Sequence, residues 1–176
     1  LILSVVSWKQ AGYWKDSMML FSHAIEVTEN NFVAHCNLGT ALTKNHQIDK
    51  AIDHYQKSLA IKPVQSDVYM GLGLAFEQKG DSERALRCLQ KSVLIDPEYQ
   101  QAQYNLGTFL FQKGRFEGAI PHLRKAVELA PDNYEAQFNL ANTLFQIKQY
   151  DDALAYAQKA IALNPSHEKA RQLSGT

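Results

Sequence analysis

Charge of either sign is not in excess in this sequence of 176 residues: 18 Lys and Arg are balanced by 18 Asp and Glu. Without net charge a chain has no bulk attraction to phosphate backbones or acidic membrane surfaces, and no run of Lys and Arg supplies a local one. Nucleic acid is therefore not expected among the partners. Cysteine is scarce. Cys36 and Cys88 are too few and too far apart for a disulfide framework or a zinc site, and both read as small packing residues. Long hydrophobic runs are missing. The apolar start, Leu1 to Trp8, falls far short of the roughly 20 residues that span a bilayer, and it lacks the basic head and cleavage site of a signal peptide. Catalytic signatures are missing too: there is no phosphate-cradling Gly-rich loop, no His-Glu-x-x-His and no nucleophile elbow. The six histidines, His23, His35, His46, His54, His122 and His167, are scattered and read as surface or half-buried polar residues. No cofactor, no metal and no enzymatic activity of this chain are expected. Disorder is excluded as well, since 45% of the residues are hydrophobic and 20% charged, a normal globular balance.

Proline is also sparse, with five in all, but four of the five are periodic. Pro63, Pro97, Pro131 and Pro165 recur at one spacing of 34 residues, leaving only Pro121 outside the series. The same period carries Gly39, Gly73, Gly107 and Ala141, then Ala51, Ala85, Ala119 and Ala153, then Ser58, Ser92, Ala126 and Ala160. Four columns in one register mark an internal repeat.

With Phe32, Ser66, Gln100 and Tyr134 as position 1, each repeat divides into two helical patterns. In the first, positions 4, 7, 8 and 11 share a face, as in Tyr69, Leu72, Gly73 and Phe76, which is the spacing of an amphipathic helix. In the second the apolar stripe falls at positions 20, 21, 24, 27, 28 and 30, as in Ala153, Leu154, Ala157, Ala160, Ile161 and Leu163. Gly or Ala at position 8, set against Ala at position 20, allows two antiparallel helices to approach closely. Ser or Ala at position 27 makes room for the next repeat. Gly80 and Gly114 stand where the first helix must stop, as left-handed cap residues do. Each periodic proline closes the second helix. Pro121 is expected near a helix start, where its lost hydrogen bond costs less. Such hairpins cannot bury their apolar faces alone, so they stack on one another.

These residues resemble the tetratricopeptide repeat (TPR) family. Ala102-Gln103-Tyr104-Asn105-Leu106-Gly107 and Asn139-Leu140-Ala141 are similar to its consensus, and the pattern of Leu-Gly, Ala, Ala and a closing Pro runs through 32–165. Ser82, Leu89, Ala157 and Pro121 depart from it. The resemblance implies an all-α superhelical solenoid of antiparallel helix hairpins, with repeats at 32–65, 66–99, 100–133 and 134–167. Extending the register backwards gives a degenerate hairpin over 1–31, capping or membrane-proximal, with Trp8 at position 11, Trp14 at 17 and Phe21 at 24. Residues 168–176 begin a partial capping helix.

The resemblance further implies a non-catalytic scaffold that binds a protein or peptide along an inner wall built from positions 2, 5, 6, 9, 12 and 13. The expected groove residues are Asn37, Thr40, Met70, Leu74, Tyr104, Asn105, Thr108, Phe111, Phe138, Asn139, Asn142 and Phe145. Position 6 reads Asn37, Gly71, Asn105 and Asn139. An Asn side chain donates and accepts at once and so can pair with a peptide backbone, resembling the asparagine ladder of O-GlcNAc transferase-type grooves; Gly71 interrupts it. Exposed aromatic and Met side chains are apt anchors for a partner. Lys and Arg are missing from the positions that form a carboxylate clamp in chaperone-binding TPR domains, so a C-terminal carboxylate is not the expected ligand. Self-association through end hairpins or the apolar wall is a further expectation.

The stretch Tyr13-Trp14-Lys15-Asp16-Ser17 through Asn37-Leu38-Gly39 is similar to the entry of TPR tails that follow multi-pass membrane domains in glycosyltransferase-like proteins. It implies, as an alternative, the soluble recognition arm of a membrane-bound enzyme. The chain opens at Leu1 and not at Met, which reads as a fragment. Its apolar start is then either a buried helix of the array or the trailing end of a membrane anchor.

Overall fold

The computed structural model describes residues 17–166 and 168–175. Among them the backbone forms ten α-helices and no strand, as expected for helical hairpins. The helices fall into two compact units, Leu1–Ile95 and Asp96–Thr176. The first contains α1 (Ser17–Val27), α2 (Phe32–Lys44), α3 (Ile48–Ile61), α4 (Ser66–Gln78) and α5 (Ser82–Ile95). The second contains α6 (Gln100–Gln112), α7 (Phe116–Leu129), α8 (Tyr134–Gln146), α9 (Tyr150–Leu163) and α10 (Glu168–Ser174). In the first unit α2 pairs with α3 and α4 with α5, while α1 lies on α2 and α3 on α4. In the second, α6 pairs with α7 and α8 with α9, α7 lies on α8, and α10 packs on α9. The first helix expected over residues 1–16, with Trp8 and Trp14, lies outside the described residues. Among the described residues no helix is long and apolar enough to cross a membrane.

Local chemistry sets the helix ends. Asn31 and Asn133 accept from the backbone N–H of Ala34 (2.8 Å) and Ala136 (3.0 Å), each satisfying one orphan donor of a helix start. Asp81 does the same for Arg84 at 3.0 Å. All four first helices of the repeats end in one motif. In the last repeat Gln149 N–H donates to Leu144 O (3.0 Å) and Lys148 N–H to Phe145 O (3.0 Å), and the same pair of bonds recurs at the three earlier ends. This closure places one residue in the left-handed region: His46 (φ 57°), Gly80 (φ 83°), Gly114 (φ 70°) and Lys148 (φ 64°). Two of these are glycine; His46 and Lys148 carry a Cβ there at a cost. Lys148→Gly is expected to stabilise the protein by about 1 kcal/mol, read as a higher urea midpoint at unchanged slope.

In the first helices the buried columns are wider than periodicity alone indicates. Positions 7, 8 and 11 of the first helix are buried in every repeat, but position 4 is only half-buried in His35 and Tyr69. Two columns outside the pattern are buried throughout: Ala34, Val68, Ala102 and Ala136 at position 3, and Ala41, Ala75, Phe109 and Thr143 at position 10. The reason is that α2, α4 and α8 each lie between two helices of their own unit, so the arc they bury exceeds a single stripe. Positions 20, 24 and 27 of the second helix are buried in all four repeats, but of the expected positions 21, 28 and 30 only Ile52 is buried, and Leu154 and Leu163 are exposed, because these columns flank the contact with the first helix. Ser58 and Ser92 also tie their hairpins shut, donating to the carbonyls of Phe32 (2.8 Å) and Ser66 (2.7 Å). Pro121 is the sixth residue of α7 and so lies one turn further in than expected.

Position 8 meets position 24 more closely than it meets position 20. A Cβ built on Gly73 would lie 2.7 Å from Leu89 Cγ but 3.3 Å from the Ala85 carbonyl, and one on Gly107 would lie 2.7 Å from Leu123 Cγ. Side-chain volume is traded across this contact. Glycine faces Tyr55, Leu89 or Leu123, whereas Ala141 in the fourth repeat shares its register with the small Ala157, both fully buried.

A second trade joins positions 4 and 23. Gln103 donates to Pro97 O (2.8 Å) and its Oε1 lies 2.8 Å from His122 Nδ1. Burial lowers the His122 pKa, which favours a neutral ring in that contact. In the next repeat Gln137 makes the same bond to Pro131 O (2.8 Å), but position 23 is Tyr156, and the buried Gln137 Oε1 has no partner. An unsatisfied buried acceptor costs about 1–3 kcal/mol. Tyr156→His is expected to recover about 1 kcal/mol of this, measured by chemical denaturation.

Candidate functional site

In the second unit the first helices α6, α8 and α10 present positions 5, 6, 9 and 12 of successive repeats. Tyr104 and Thr108 on α6 meet Asn139 on α8: the Asn139 amide donates to Tyr104 Oη at 3.0 Å and to Thr108 Oγ1 at 3.3 Å. Both donors of Asn139 are thus engaged within the protein, and its Oδ1 is left as the acceptor. Burial raises the Tyr104 pKa, with the Glu135 carboxylate adding to it while the bonds to Thr108 and Asn139 oppose. The phenol therefore remains a neutral hydroxyl. Phe111 packs its ring against Phe116 at 5.5 Å between centroids. Phe145, 43% exposed, meets Tyr150 edge-on at 5.3 Å.

Further along the same wall, Phe138, Asn142 and Phe145 of α8 and Gln172 and Leu173 of α10 line a cleft of about 370 Å³. Helix α10 occupies the register of a fifth first helix, and its buried Ala170 continues the position-3 column. Neither Lys nor Arg is among the side chains lining this cleft. Amide, aromatic and aliphatic groups offer hydrogen bonding and apolar contact with no fixed charge.

The first unit has its own wall from α2 and α4. Thr40 Oγ1 donates to the Cys36 carbonyl at 3.2 Å and lies 3.1 Å from the Tyr55 hydroxyl. The Cys36 thiol donates to Asp67 Oδ2 at 3.5 Å. Burial first, then the Asp67 charge, pushes this thiol up to about 12, so it is a packing group and not a nucleophile. Met70 and Leu74 on α4 are half-buried. The gap in the Asn column has a steric cause: a Cβ on Gly71 would sit 2.6 Å from the Tyr55 Cζ and hydroxyl. Tyr55, 2% exposed, fills the space an Asn would need. Among the described residues the side chains of Asn37, Asn105 and Asn142 make no hydrogen bond within the protein. Sequence reasoning missed Tyr55 and Gln172, whose contributions depend on contacts between hairpins.

Tetratricopeptide repeat models match residues 110–175, 72–133 and 32–63. The chain belongs to the tetratricopeptide repeat family. Against curated proteins the sequence has no match. Among solved structures the TPR chain is similar to YrrB, described as a TPR protein with an unusual peptide-binding site, at 21% identity and TM-score 0.72 over 99% of this chain and 88% of that one. It is also similar to MamA, at 20% identity and TM-score 0.75 over 92% and 94%. The Cut9–Hcn1 hetero-tetramer of the APC/C is a further neighbour, at 18% identity and TM-score 0.79, covering 88% of this chain and 31% of that one. At these identities the likeness establishes the TPR fold. This architecture is that of a protein–protein interaction scaffold, and TPR proteins are generally non-catalytic.

Proposed function

We propose that this TPR chain binds an extended polypeptide segment without catalysis, and that the wall of the second unit is the binding surface. The observation that carries this reading is the uncharged cleft between α8 and α10, where the amides of Asn142 and Gln172 stand beside Phe138, Phe145 and Leu173. An amide in such a cleft pairs with a guest backbone, and a ring exposed at its edge supplies an apolar anchor. YrrB, with its peptide-binding site, and Cut9, in complex with Hcn1, support the class of partner. The Asn139 Oδ1 extends the polar row toward Tyr104 and Thr108. In the first unit Thr40, Met70 and Leu74 form a separate, more apolar wall.

Asn139 is a poor residue to mutate as a test of binding, because its loss also removes two bonds between helices. Asn142 and Phe145 are better. Peptides selected from a random library on the intact chain are expected to carry apolar side chains and little charge. Asn142→Ala should weaken them with the melting temperature unchanged. Adding Phe145→Ala, which also removes the edge-on contact with Tyr150, should bring the loss to at least tenfold, about 1.4 kcal/mol or more. The double variant should melt lower but still be folded at the assay temperature. Equal affinity for parent and double variant would remove this surface from the account.

A further inference from the structure

Positions 2, 5, 6, 9, 12 and 13 of α6 and α8 make up the wall of the second unit, and they hold one charged side chain, Glu135. It stands at position 2 of α8, three residues before Phe138 and seven before Asn142. Helical geometry therefore sets it on the same face as the cleft, about 4.5 Å and 10.5 Å along the axis from those residues. The carboxylate is exposed. It is also close enough to α6 to add to the rise in the Tyr104 pKa, and it accepts a long hydrogen bond from Tyr134 Oη at 3.4 Å. Other first-turn carboxylates have a cation beside them: Asp49 pairs with Lys79, Glu83 with Arg87 and Asp152 with Arg124. Among the described residues no Lys or Arg pairs with Glu135. A helix dipole accounts for a carboxylate in a first turn, but not for its place on the wall. We propose that the guest of the second unit carries one positive charge, a Lys or Arg paired with Glu135, in an otherwise neutral segment whose apolar residue seats in the cleft between α8 and α10.

This inference rests on that cleft being the binding surface. The first unit repeats the arrangement: Asp67, at position 2 of α4, accepts from the Cys36 thiol, at position 5 of α2, at 3.5 Å, as Glu135 acts on Tyr104 at position 5 of α6. With no basic side chain at the listed positions of α6 and α8, an acidic guest would meet Glu135 and nothing to balance it. An extended chain advances about 3.3 Å per residue, so the basic residue stands about three positions from the apolar anchor. An exposed ion pair contributes little to affinity. Its effect is to reject guests of the wrong sign and to fix the register of the right one.

Peptides selected from a random library on the intact chain test this. They are expected to carry Lys or Arg about three residues from an apolar side chain. Replacing that basic residue by Gln should weaken binding to the parent about three- to fivefold at low salt, and less at about 0.5 M NaCl, where the pair is screened. Glu135→Gln should weaken the original peptide by the same factor and the neutral peptide no further. Additive losses across these four pairings would overturn the inference. So would selected peptides that lack a basic residue but still lose affinity on Asn142→Ala, an outcome that leaves the cleft as the surface. Peptides indifferent to Asn142→Ala, or a library that yields no binder, would remove the cleft and this inference with it.

Discussion

Gly71→Asn, which would complete the asparagine column, is expected to destabilise the protein by about 3 kcal/mol. The new Cβ would stand 2.6 Å from the Tyr55 Cζ and hydroxyl. The Tyr55 ring has little room to swing aside, because it also lies against Gly39, so closely that a Cβ there would stand 2.9 Å from Cδ1. The hydroxyl would also lose its contact with Thr40. Introducing Tyr55→Leu as well, the residue used at Leu89 and Leu123, should recover most of the loss even though that change alone leaves a cavity. Denaturant midpoints for both singles and the double give the coupling between the two sites. Additive losses would show that Tyr55 is not what keeps Asn out of position 71.

Ala157→Leu is expected to cost about 2–3 kcal/mol, although leucine is the residue at the same position in the two preceding repeats. In those repeats the leucine lies on a glycine; here it would meet the Cβ of Ala141, and both alanines are fully buried. Ala141→Gly combined with Ala157→Leu should restore near-parent stability by rebuilding the Gly107–Leu123 arrangement. Thermal melts of the two singles and the double decide it. A double variant as unstable as Ala157→Leu alone would refute the volume trade.

Much of this was legible in the sequence because the repeat is a local signal read four times. The spacing of Pro63, Pro97, Pro131 and Pro165 and the small columns at positions 8, 20 and 27 lead directly to hairpins of two helices, and all-α hairpins form. Gly80 and Gly114 mark helix ends by their own conformational freedom. His46 and Lys148 occupy the same left-handed seat without announcing it, since neither residue favours that region. The burial of positions 3 and 10 was not legible either. Ala34 or Thr143 is equally at home on a surface, and only a second neighbouring helix buries it.

For the candidate site the sequence named Phe138, Asn142 and Phe145, which the structure brings together at one cleft, but not Gln172 and Leu173 across from them. It could not show which side chains of the wall are already engaged. Asn139 is committed to Tyr104 and Thr108 on α6, whereas Asn142, on the same helix, makes no such bond and lines the cleft.

The amino-acid order alone determined the period, the two helices of each repeat and the centre of the apolar stripe each helix buries, because these follow from residue types three and four apart on one helix. The tertiary structure alone decided that Tyr55 excludes an Asn at position 71, that Ala141 requires Ala157, and that His35 and His54, 19 residues apart, meet in a hydrogen bond. Those outcomes depend on the register between helices, which is set by the volumes meeting across the contact and by no single helix.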